Sequence, residues 1–261
     1  MASELSDTFR SWSKHSEYVE DLVHLTHEGH RYLTLLPEVL GALGDEGGRS
    51  GAKFKADRAR REMDDGFWML HAHALMGLWG SLETLIEDIF VKRLAGNANF
   101  FASDAFKKFK LPVSIVVESD PERIARAVLR EVSKSADTGS APGRFERVLK
   151  FVELDGKVPD RVSHALYRAQ ETRNVCAHRA GIADERFVEM CPDVQIAIGQ
   201  RVKLEFKDFS PLMHGLHMYA AILVNRWRLE NEEALVQVEC RGYEGVMAEA
   251  FPSLVVLEED A

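Results

Sequence analysis

Residues 170–181, QETRNVCAHRAG, contain the side chains of this chain that are best suited to acid–base chemistry. Asn174 and His178 are four residues apart and therefore share one face of an α-helix. Arg173 and His178 are five apart, so they point about 140° from one another, but the long arginine side chain can still reach the same edge. An imidazole transfers protons near neutral pH, and a permanently charged guanidinium binds phosphate. The segment predicts proton transfer by His178 at a phosphate that Arg173 holds, with Asn174 orienting the imidazole.

The hexapeptide from Arg173 to His178 resembles the R-N-x-x-x-H signature of the HEPN superfamily, whose members are helical proteins and in many cases metal-independent endoribonucleases. A second segment, WGSLE from Trp79 to Glu83, is similar to the S-L-E-type helix that lies upstream of the motif in the RiboL-PSP branch. The resemblance covers about residues 65–230. It implies a helical bundle, an endoribonuclease activity without a metal or another cofactor, and catalytic roles for the three polar residues of the motif.

The resemblance also implies a mechanism. His178 would deprotonate an RNA 2′-hydroxyl, which attacks the adjacent phosphate and leaves a 2′,3′-cyclic phosphate and a 5′-hydroxyl. Arg173 would bind the phosphate and its developing charge, and Asn174 would maintain the geometry. Because HEPN nucleases typically pair two motif helices, a homodimer with a composite active site is expected, with the second His178 as the acid for the leaving group. A bacterial toxin or antiviral defence role, with an antitoxin or defence-system partner protein, follows by the same analogy.

Glu83 is a further candidate catalytic residue. Trp79 lies four residues before it and Ile86 three residues after it, so its carboxylate sits on an apolar face of the predicted helix. A buried carboxylate needs a partner. One interpretation therefore pairs Glu83 with Arg173 or brings it to His178, whereas the other makes it a residue at the edge of the helix.

Basic side chains around the motif predict an RNA-binding surface. The whole chain has a formal charge of −9 and is not a general nucleic-acid coat, so any RNA contact must come from a local patch. Residues 144–179 contain eight basic and five acidic side chains. Arg161 and Arg168 are two helical turns apart on one face, and Arg179 follows the motif directly. These three arginines are predicted to contact the RNA backbone.

Other chemistries have weaker support in the sequence. Cys176 and His178 are two residues apart and face different ways on a helix, which argues against a Cys-His-Asn nucleophile. Histidines at helical spacing occur in residues 24–30 and 214–217, but without an HExxH pattern or a clear carboxylate ligand, so no metal is expected. A different class of function remains open: a catalytically inactive HEPN-like module that dimerises, or binds RNA or nucleotide, and regulates a partner protein.

Helical periodicity through most of the chain predicts a mainly α protein, a HEPN-like helical bundle with a small β-hairpin at residues 194–206 near the C-terminal helix. We divide the chain into an N-terminal helical extension with a Gly-rich basic linker (residues 1–62), the HEPN-like domain (residues 63–232) and a C-terminal tail of uncertain structure (residues 233–261). Helices are predicted at residues 14–43 with a break or kink at Pro37, and at 65–95, 120–136, 143–154, 159–180 and 210–230.

The composition is that of an ordinary globular protein, with 46% hydrophobic and 29% charged residues. The three widely spaced cysteines, Cys176, Cys191 and Cys240, do not suggest a disulfide framework or a Cys-rich zinc site. The polar N-terminus lacks the apolar core of a signal peptide, and polar residues interrupt the longest apolar run, residues 67–90. We therefore expect a cytoplasmic protein that does not associate with a membrane.

Overall fold

The computed structural model describes residues 2–97, 99–100, 106, 109, 120–136, 141–236 and 242–252. Over these ranges the chain is mainly α-helical, which confirms the predicted fold class at that level. None of the helices in these ranges is long and apolar enough to cross a membrane. The helices are α1 (Ala2–Ala42), α2 (Glu46–Asp64), α3 (Trp68–Gly96), α4 (Pro121–Ala136), α5 (Gly143–Leu149), η1 (Lys150–Val152), α6 (Asp160–Arg179), α7 (Glu185–Met190), η2 (Pro192–Val194), α8 (Phe206–Glu230) and α9 (Tyr243–Ala250).

Helix α4 begins and ends where local signals in the sequence predict. The carboxylate of Asp120 accepts a hydrogen bond from the backbone N–H of Glu122 at 3.0 Å. Pro121 takes the first helical position, where a backbone N–H would have no partner within the helix. The apolar face of α4 is buried, which stabilises a helix of only four to five turns. Its buried side chains are Ala125, Ala127, Val128, Leu129 and Val132.

The Gly-rich segment that follows α1 is helical, although it is predicted to be a linker. Helix α2 covers Glu46–Asp64, and the carboxylate of Asp45 accepts a hydrogen bond from the Gly48 N–H at 2.8 Å at its start. A stripe of alanines on one face of the helix is buried. Packing of these alanines against other elements compensates for the low helix propensity of the glycines. The local sequence does not show this packing, so it predicts a linker. The buried alanines are Ala52, Ala56 and Ala59.

Two helices begin earlier than predicted. Helix α1 starts at Ala2, and Pro37 lies inside it without ending it. Helix α8 starts at Phe206, four residues before the predicted Ser210–Pro211 start, with Pro211 inside the helix. The Phe209 N–H donates to the carbonyl of Glu205 at 2.9 Å, and the Phe209 side chain is fully buried. Burial of that ring, a tertiary effect, fixes the earlier start.

The β-hairpin predicted at residues 194–206 does not form. Val194 ends the 3₁₀ helix η2, and Gln195 has a left-handed backbone conformation with φ of 48°. The alternation of apolar residues that suggested a strand comes from the burial of Val202 and Leu204. Alternating burial in a single extended segment has the same pattern as one strand of a hairpin.

The backbone after the predicted turn is paired instead with the residues just after α6. The Ala183 N–H donates to the carbonyl of Gln200, and the Val202 N–H donates to the carbonyl of Gly181, both at 2.8 Å. The described residues contain one isolated antiparallel bridge here and no strand. Residues 199–202 therefore form a short extended segment over the C-terminal end of α6, which we call the extended cover.

The chain forms two compact units. Unit 1 consists of Met1–Ser13, Trp79–Gln170 and Leu212–Ala261, and unit 2 consists of Lys14–Leu78 and Glu171–Pro211. The division of the chain at residues 62/63 and 232/233 stays a prediction. Helix α9 lies within the C-terminal tail, for which the sequence indicates neither helix nor strand clearly.

Unit 1 has an aromatic core beside a buried ion pair. The ring centroids of Trp79 and Phe145 are 5.5 Å apart, and those of Phe145 and Tyr219 are 6.0 Å apart. The Nη1 atom of Arg226 lies 2.9 Å from both carboxylate oxygens of Glu146. The Tyr219 hydroxyl donates to the same carboxylate at 2.7 Å, and burial together with the negative charge of Glu146 raises the pKa of Tyr219 well above its usual value.

Unit 2 contains a smaller apolar cluster around the end of α6. Its members come from α6, from α7 and from the extended cover, so three consecutive parts of the chain close on one another. This packing fixes the helix that carries the Arg-Asn-His motif. The buried members are Val175, Ala183, Phe187, Cys191 and Val202.

Candidate functional site

Arg173, Asn174 and His178 lie on the last two turns of α6, in unit 2. Arg173 and Asn174 are half-buried, whereas His178 is exposed. The Nη1 atom of Arg173 donates a hydrogen bond to Oδ1 of Asn174 at 3.2 Å. Neighbouring residues point about 100° apart on a helix, so this contact requires the guanidinium to turn toward the face that Asn174 shares with His178. The motif thus has a cation directed toward its histidine-bearing face.

The imidazole of His178 is open to solvent at the end of the helix. Helix α6 stops at Arg179, and Ala180 and Gly181 follow with φ of 52° and 76°. In the described ranges no protein group hydrogen-bonds to the His178 ring; the Oδ1 atom of Asn174, which is predicted to orient it, accepts from Arg173 instead. An exposed imidazole has its nitrogens available for a substrate.

The buried face of α6 is fixed by Glu171 as well as by the apolar cluster. The Glu171 side chain is 2% exposed, and its two carboxylate oxygens accept hydrogen bonds from Nε and Nη2 of Arg186 at 3.1 and 2.9 Å. A bidentate Arg–carboxylate pair is geometrically specific. Because Arg186 belongs to α7, the pair joins α6 to α7 two residues before the motif begins.

Arg201 is a basic residue at this end of α6 that the sequence analysis missed. Its Nη1 atom donates to the carbonyl of Ala180 at 2.7 Å, where the negative end of the helix favours a cation. Its guanidinium carbon lies 4.9 Å from the centroid of the Trp68 ring. The indole N–H of Trp68 donates to Asp65 at 3.0 Å, and Lys203 also pairs with Asp65. The alternation of basic and apolar residues from 201 to 204 was the available signal, and it was assigned to a hairpin.

Arg179, a predicted RNA-binding residue, is exposed and interacts with an acid. Its Nε atom lies 3.5 Å from the carboxylate of Asp184, which also caps α7 by accepting from the Phe187 N–H at 2.9 Å. Part of its charge is therefore compensated within the chain. An exposed pair of this kind contributes little to stability and opens readily to a competing phosphate.

The remaining predicted site residues belong to unit 1. The Oε1 atom of Glu83 lies 4.0 Å from Nη1 of Arg144, and both side chains are half-buried. Arg161 is exposed and donates to the backbone carbonyl of Gly242. Arg168 is half-buried on α6. The roles expected for Glu83, Arg161 and Arg168 in catalysis and RNA binding stay predictions.

The alternative nucleophile in the motif is disfavoured by its environment. Cys176 is a free, half-buried thiol, and burial raises its pKa, so the reactive thiolate is less populated than in water. Cys191 is a reduced, buried thiol in the apolar cluster. Cys240 lies outside the described residues.

Two histidines of α1, His27 and His30, belong to a cluster of rings that also includes His71 of α3, a residue that the histidine spacing within α1 does not indicate. The Nε2 atoms of His27 and His71 are 3.0 Å apart, and Nδ1 of His71 lies 2.8 Å from the carbonyl of Leu204. The ring of Phe67 lies against His27 and His30. Across the described part of the chain, no three His, Cys, Asp or Glu side chains come close enough to hold a metal ion.

Comparisons of the chain with models of protein families, with curated proteins and with solved structures give no match. The resemblance to the HEPN superfamily therefore rests on the motif residues themselves.

Proposed function

We propose that this protein is a metal-independent endoribonuclease of the HEPN type, and that Arg173, Asn174 and His178 form its catalytic group. The observation that carries the proposal is the turn of the Arg173 guanidinium onto Asn174 at 3.2 Å, beside an exposed imidazole on the same helix. A fixed cation next to an accessible general base is the minimum that phosphate transfer needs. Arg201 adds a second cation at the same end of α6.

In the proposed reaction, a neutral His178 accepts the proton of an RNA 2′-hydroxyl. The 2′-oxygen forms a bond to the adjacent phosphorus as the bond from phosphorus to the 5′-oxygen breaks. Arg173 binds the non-bridging oxygens, on which negative charge accumulates in the transition state. The 5′-oxygen leaves with a proton, and the products are a 2′,3′-cyclic phosphate and a 5′-hydroxyl.

The proton for the leaving oxygen comes, in this proposal, from the partner subunit's His178 in a homodimer with a composite site. The expected roles of Glu83 in catalysis and of Arg161, Arg168 and Arg179 in RNA binding belong to the proposal through the resemblance to the superfamily alone. A cytoplasmic toxin or antiviral defence role, with an antitoxin or defence-system partner, completes the proposal by analogy with the superfamily.

A second candidate function is a catalytically inactive HEPN-like module that dimerises, or binds RNA or nucleotide, and regulates a partner protein. The formal charge of −9 favours the form of this alternative that dimerises and regulates a partner protein without RNA, because a polyanion is repelled by most of the surface. The two functions differ in one measurable product, the cyclic phosphate.

The decisive experiment is cleavage of a mixed RNA pool in the presence of EDTA by the wild-type protein and by His178→Ala. A matched control is His164→Ala, which removes an exposed histidine from the same helix outside the motif. We expect the wild type and the control to release fragments with 2′,3′-cyclic phosphate ends, and His178→Ala to release none. RNA with a 2′-deoxyribose at the cleaved position should resist all three proteins.

Cleavage that persists in His178→Ala would remove His178 as the base. Absence of cleavage by any variant, together with RNA binding that Arg173→Ala weakens, would favour the inactive module. Far-UV circular dichroism of each variant confirms that a lost activity is not a lost fold.

A further inference from the structure

Helix α1 has apolar side chains on two faces. Val19 and Val23 are buried, and His27 packs against Phe67, which defines the inner face. A second set of large apolar side chains is between 51% and 75% exposed. Single exposed apolar residues are common, but a continuous row along one helix indicates an interaction surface. The exposed residues are Tyr18, Leu22, Leu25, Tyr32, Leu35, Val39 and Leu43.

Six of these residues, together with Gly29 and the half-buried Leu36, have the spacing of a coiled coil, whereas Leu35 lies outside this repeat. Successive members are alternately four and three residues apart, which is the seven-residue repeat that a second helix covers by knobs-into-holes packing. Only one member, Gly29, lacks a side chain, and a Cβ built there meets nothing within 4 Å. We call this row the α1 stripe: Tyr18, Leu22, Leu25, Gly29, Tyr32, Leu36, Val39 and Leu43.

The neighbouring helix α2 packs on a different face of α1. Arg60 donates from Nη2 to the carbonyl of Thr34 at 3.4 Å, and the guanidinium of Arg49 lies 3.4 Å from a Cβ built on Gly41. Thr34 and Gly41 are seven residues apart and lie on the side of the helix opposite the stripe. The helix hairpin of α1 and α2 therefore leaves the α1 stripe uncovered.

We propose that the α1 stripe binds the α1 stripe of a second copy of this chain, with the two helices antiparallel. If the two-fold axis passes between residues 30 and 31, every member of the stripe meets another member. Gly29 then faces the partner's Tyr32, so the one gap in the stripe receives one of its largest side chains. The four layers, each formed twice, are Tyr18 with the partner's Leu43, Leu22 with the partner's Val39, Leu25 with the partner's Leu36, and Gly29 with the partner's Tyr32.

Size and charge both favour the antiparallel over the parallel arrangement. In parallel, Gly29 would face the partner's Gly29 and leave a void, while Tyr32 would crowd the partner's Tyr32. The acidic residues of the region lie in its first half, whereas residues 32–43 carry a single charge, at Glu38. Antiparallel pairing places the acidic half against this nearly uncharged half and so avoids like-charge repulsion. The acids of the first half are Glu17, Glu20, Asp21 and Glu28.

The area is sufficient for a specific dimer. At about 1.5 Å per residue, residues 18–43 extend over roughly 39 Å. If each of the six exposed large side chains of the stripe buries about 100 Å², each subunit buries roughly 600 Å², which approaches the ~800 Å² per partner of a standard interface. Because a two-fold contact is self-complementary, the same row of residues serves both subunits. This contact involves residues of α1 and none of the motif residues, so its substitutions and cross-links separate it from the composite-site dimer of the proposed nuclease.

The first test is the mass of the full-length chain by light scattering after gel filtration at roughly 20 µM, a concentration at which a micromolar dimer is populated. We expect a wild type that is at least a dimer, and a Leu25→Glu variant with at most half the wild-type mass, because two carboxylates would then be buried per α1 interface and the Kd would rise roughly 100-fold. The matched control is Phe54→Glu, which changes an exposed apolar residue of α2 outside the stripe and leaves the dimer intact. A monomeric wild type, or a dimer that Leu25→Glu leaves intact, would overturn the proposal.

The second test uses the gap at Gly29. Gly29→Leu adds apolar surface and helix propensity, so it would strengthen a nonspecific hydrophobic contact. We expect the opposite, a Kd at least about tenfold higher, because the leucine occupies the place of the partner's Tyr32. An unchanged or tighter dimer would contradict the antiparallel register.

Cysteine cross-linking determines the direction of the helices. The double variant Leu25→Cys/Leu36→Cys should form a disulfide-linked dimer under mild oxidation, whereas Leu25→Cys alone should not, because the two copies of residue 25 lie far apart. Wild-type protein, with its native cysteines, is the background control. A linked dimer from Leu25→Cys alone would overturn the antiparallel arrangement, and circular dichroism verifies the fold of each variant.

Discussion

Arg186 holds the carboxylate of Glu171 through two nearly parallel hydrogen bonds, from Nε to Oε2 at 3.1 Å and from Nη2 to Oε1 at 2.9 Å. The arginine lies at the surface, but the carboxylate is almost completely buried. A buried carboxylate is stable only with such a partner, so this pair determines how the helix of the Arg-Asn-His motif meets α7.

Removal of that partner should destabilise the protein. We expect Arg186→Ala to lower the free energy of unfolding by about 2 kcal/mol, because the Glu171 carboxylate then remains buried without its charged donor. Urea denaturation measures the change. Arg179→Ala, which breaks the exposed 3.5 Å pair with Asp184, is the control and should cost less than about 0.5 kcal/mol. Equal effects of the two substitutions would show that the buried Glu171–Arg186 pair contributes no more to stability than the exposed pair.

The proposed phosphate contact depends on the shape of Arg173 as well as on its charge. Arg173→Lys keeps the charge but cannot present the planar fork that reaches both Asn174 and a phosphate. We expect kcat/KM for RNA cleavage in EDTA to fall about 100-fold. Arg58→Lys, at an exposed site on α2, is the control and should leave kcat/KM unchanged. A lysine variant as active as the wild type would show that only the positive charge of Arg173 matters and not the shape of its guanidinium.

Stability should decrease as the pH falls below 6.5. His217 lies edge-on to Trp12 at 5.4 Å, and burial lowers its pKa to about 4. The unfolded chain binds the proton near pH 6.5, whereas the folded chain binds it only near pH 4. The contribution of His217 to the free energy of unfolding is therefore fully present above pH 6.5 and is lost as the pH falls between these two values. The loss amounts to about 3 kcal/mol from this residue. Burial also lowers the pKa of His27 and His71, which act in the same direction.

The measurement is the urea midpoint of the wild type and of His217→Phe at pH values on either side of 6.5. Phenylalanine keeps a ring beside Trp12 but does not titrate, so the urea midpoint of His217→Phe should decrease less than that of the wild type as the pH falls. His164→Phe, at an exposed position, should retain the wild-type pH dependence. Identical pH profiles for wild type and His217→Phe would contradict the assignment.

Two helical glycines of unit 1 should respond to alanine in opposite directions. A Cβ on Gly215 of α8 would overlap the Cβ of Ala165 on α6, so Gly215→Ala should lower the free energy of unfolding by about 2 kcal/mol. Gly80 of α3 has open space around its Cβ position, and Gly80→Ala should raise that free energy by about 1 kcal/mol. Thermal or urea unfolding reports both changes.

The pair of Gly215 and Ala165 provides its own control. In the double variant Gly215→Ala/Ala165→Gly the methyl group moves from one helix to the other and the number of helical glycines is unchanged, so most of the loss from Gly215→Ala should be recovered. Additive effects of the two substitutions would mean that the helices are not in close contact at this point.

Helix positions that depend on local signals were predictable from the sequence. Asp120 and Pro121 begin α4, Gly181 follows the end of α6, and the apolar period of residues 65–95 marks α3. These signals act through atoms only a few residues away, so the sequence contains them directly. Helix α2 was missed because its alanine face stabilises it only when packed against other elements.

For the candidate site, the sequence supplied Arg173, Asn174 and His178 on one helix, but it did not supply their contacts. The hydrogen bond predicted between Asn174 and His178 is replaced by one between Asn174 and Arg173. Arg201 was missed because a residue 21 positions after Ala180 reaches that carbonyl only through the tertiary fold.

The sequence by itself determined a mainly helical chain, the helix that carries the motif and the point at which that helix ends, because caps, glycines and apolar periodicity act locally. It also contains the four-three spacing of the α1 stripe. Only the tertiary structure decided that residues 199–202 pair with residues 181–183 rather than form a hairpin, and that Glu171 is buried against Arg186. Those outcomes depend on which distant groups satisfy a backbone N–H or a buried charge, and such partners are chosen by the folded chain as a whole.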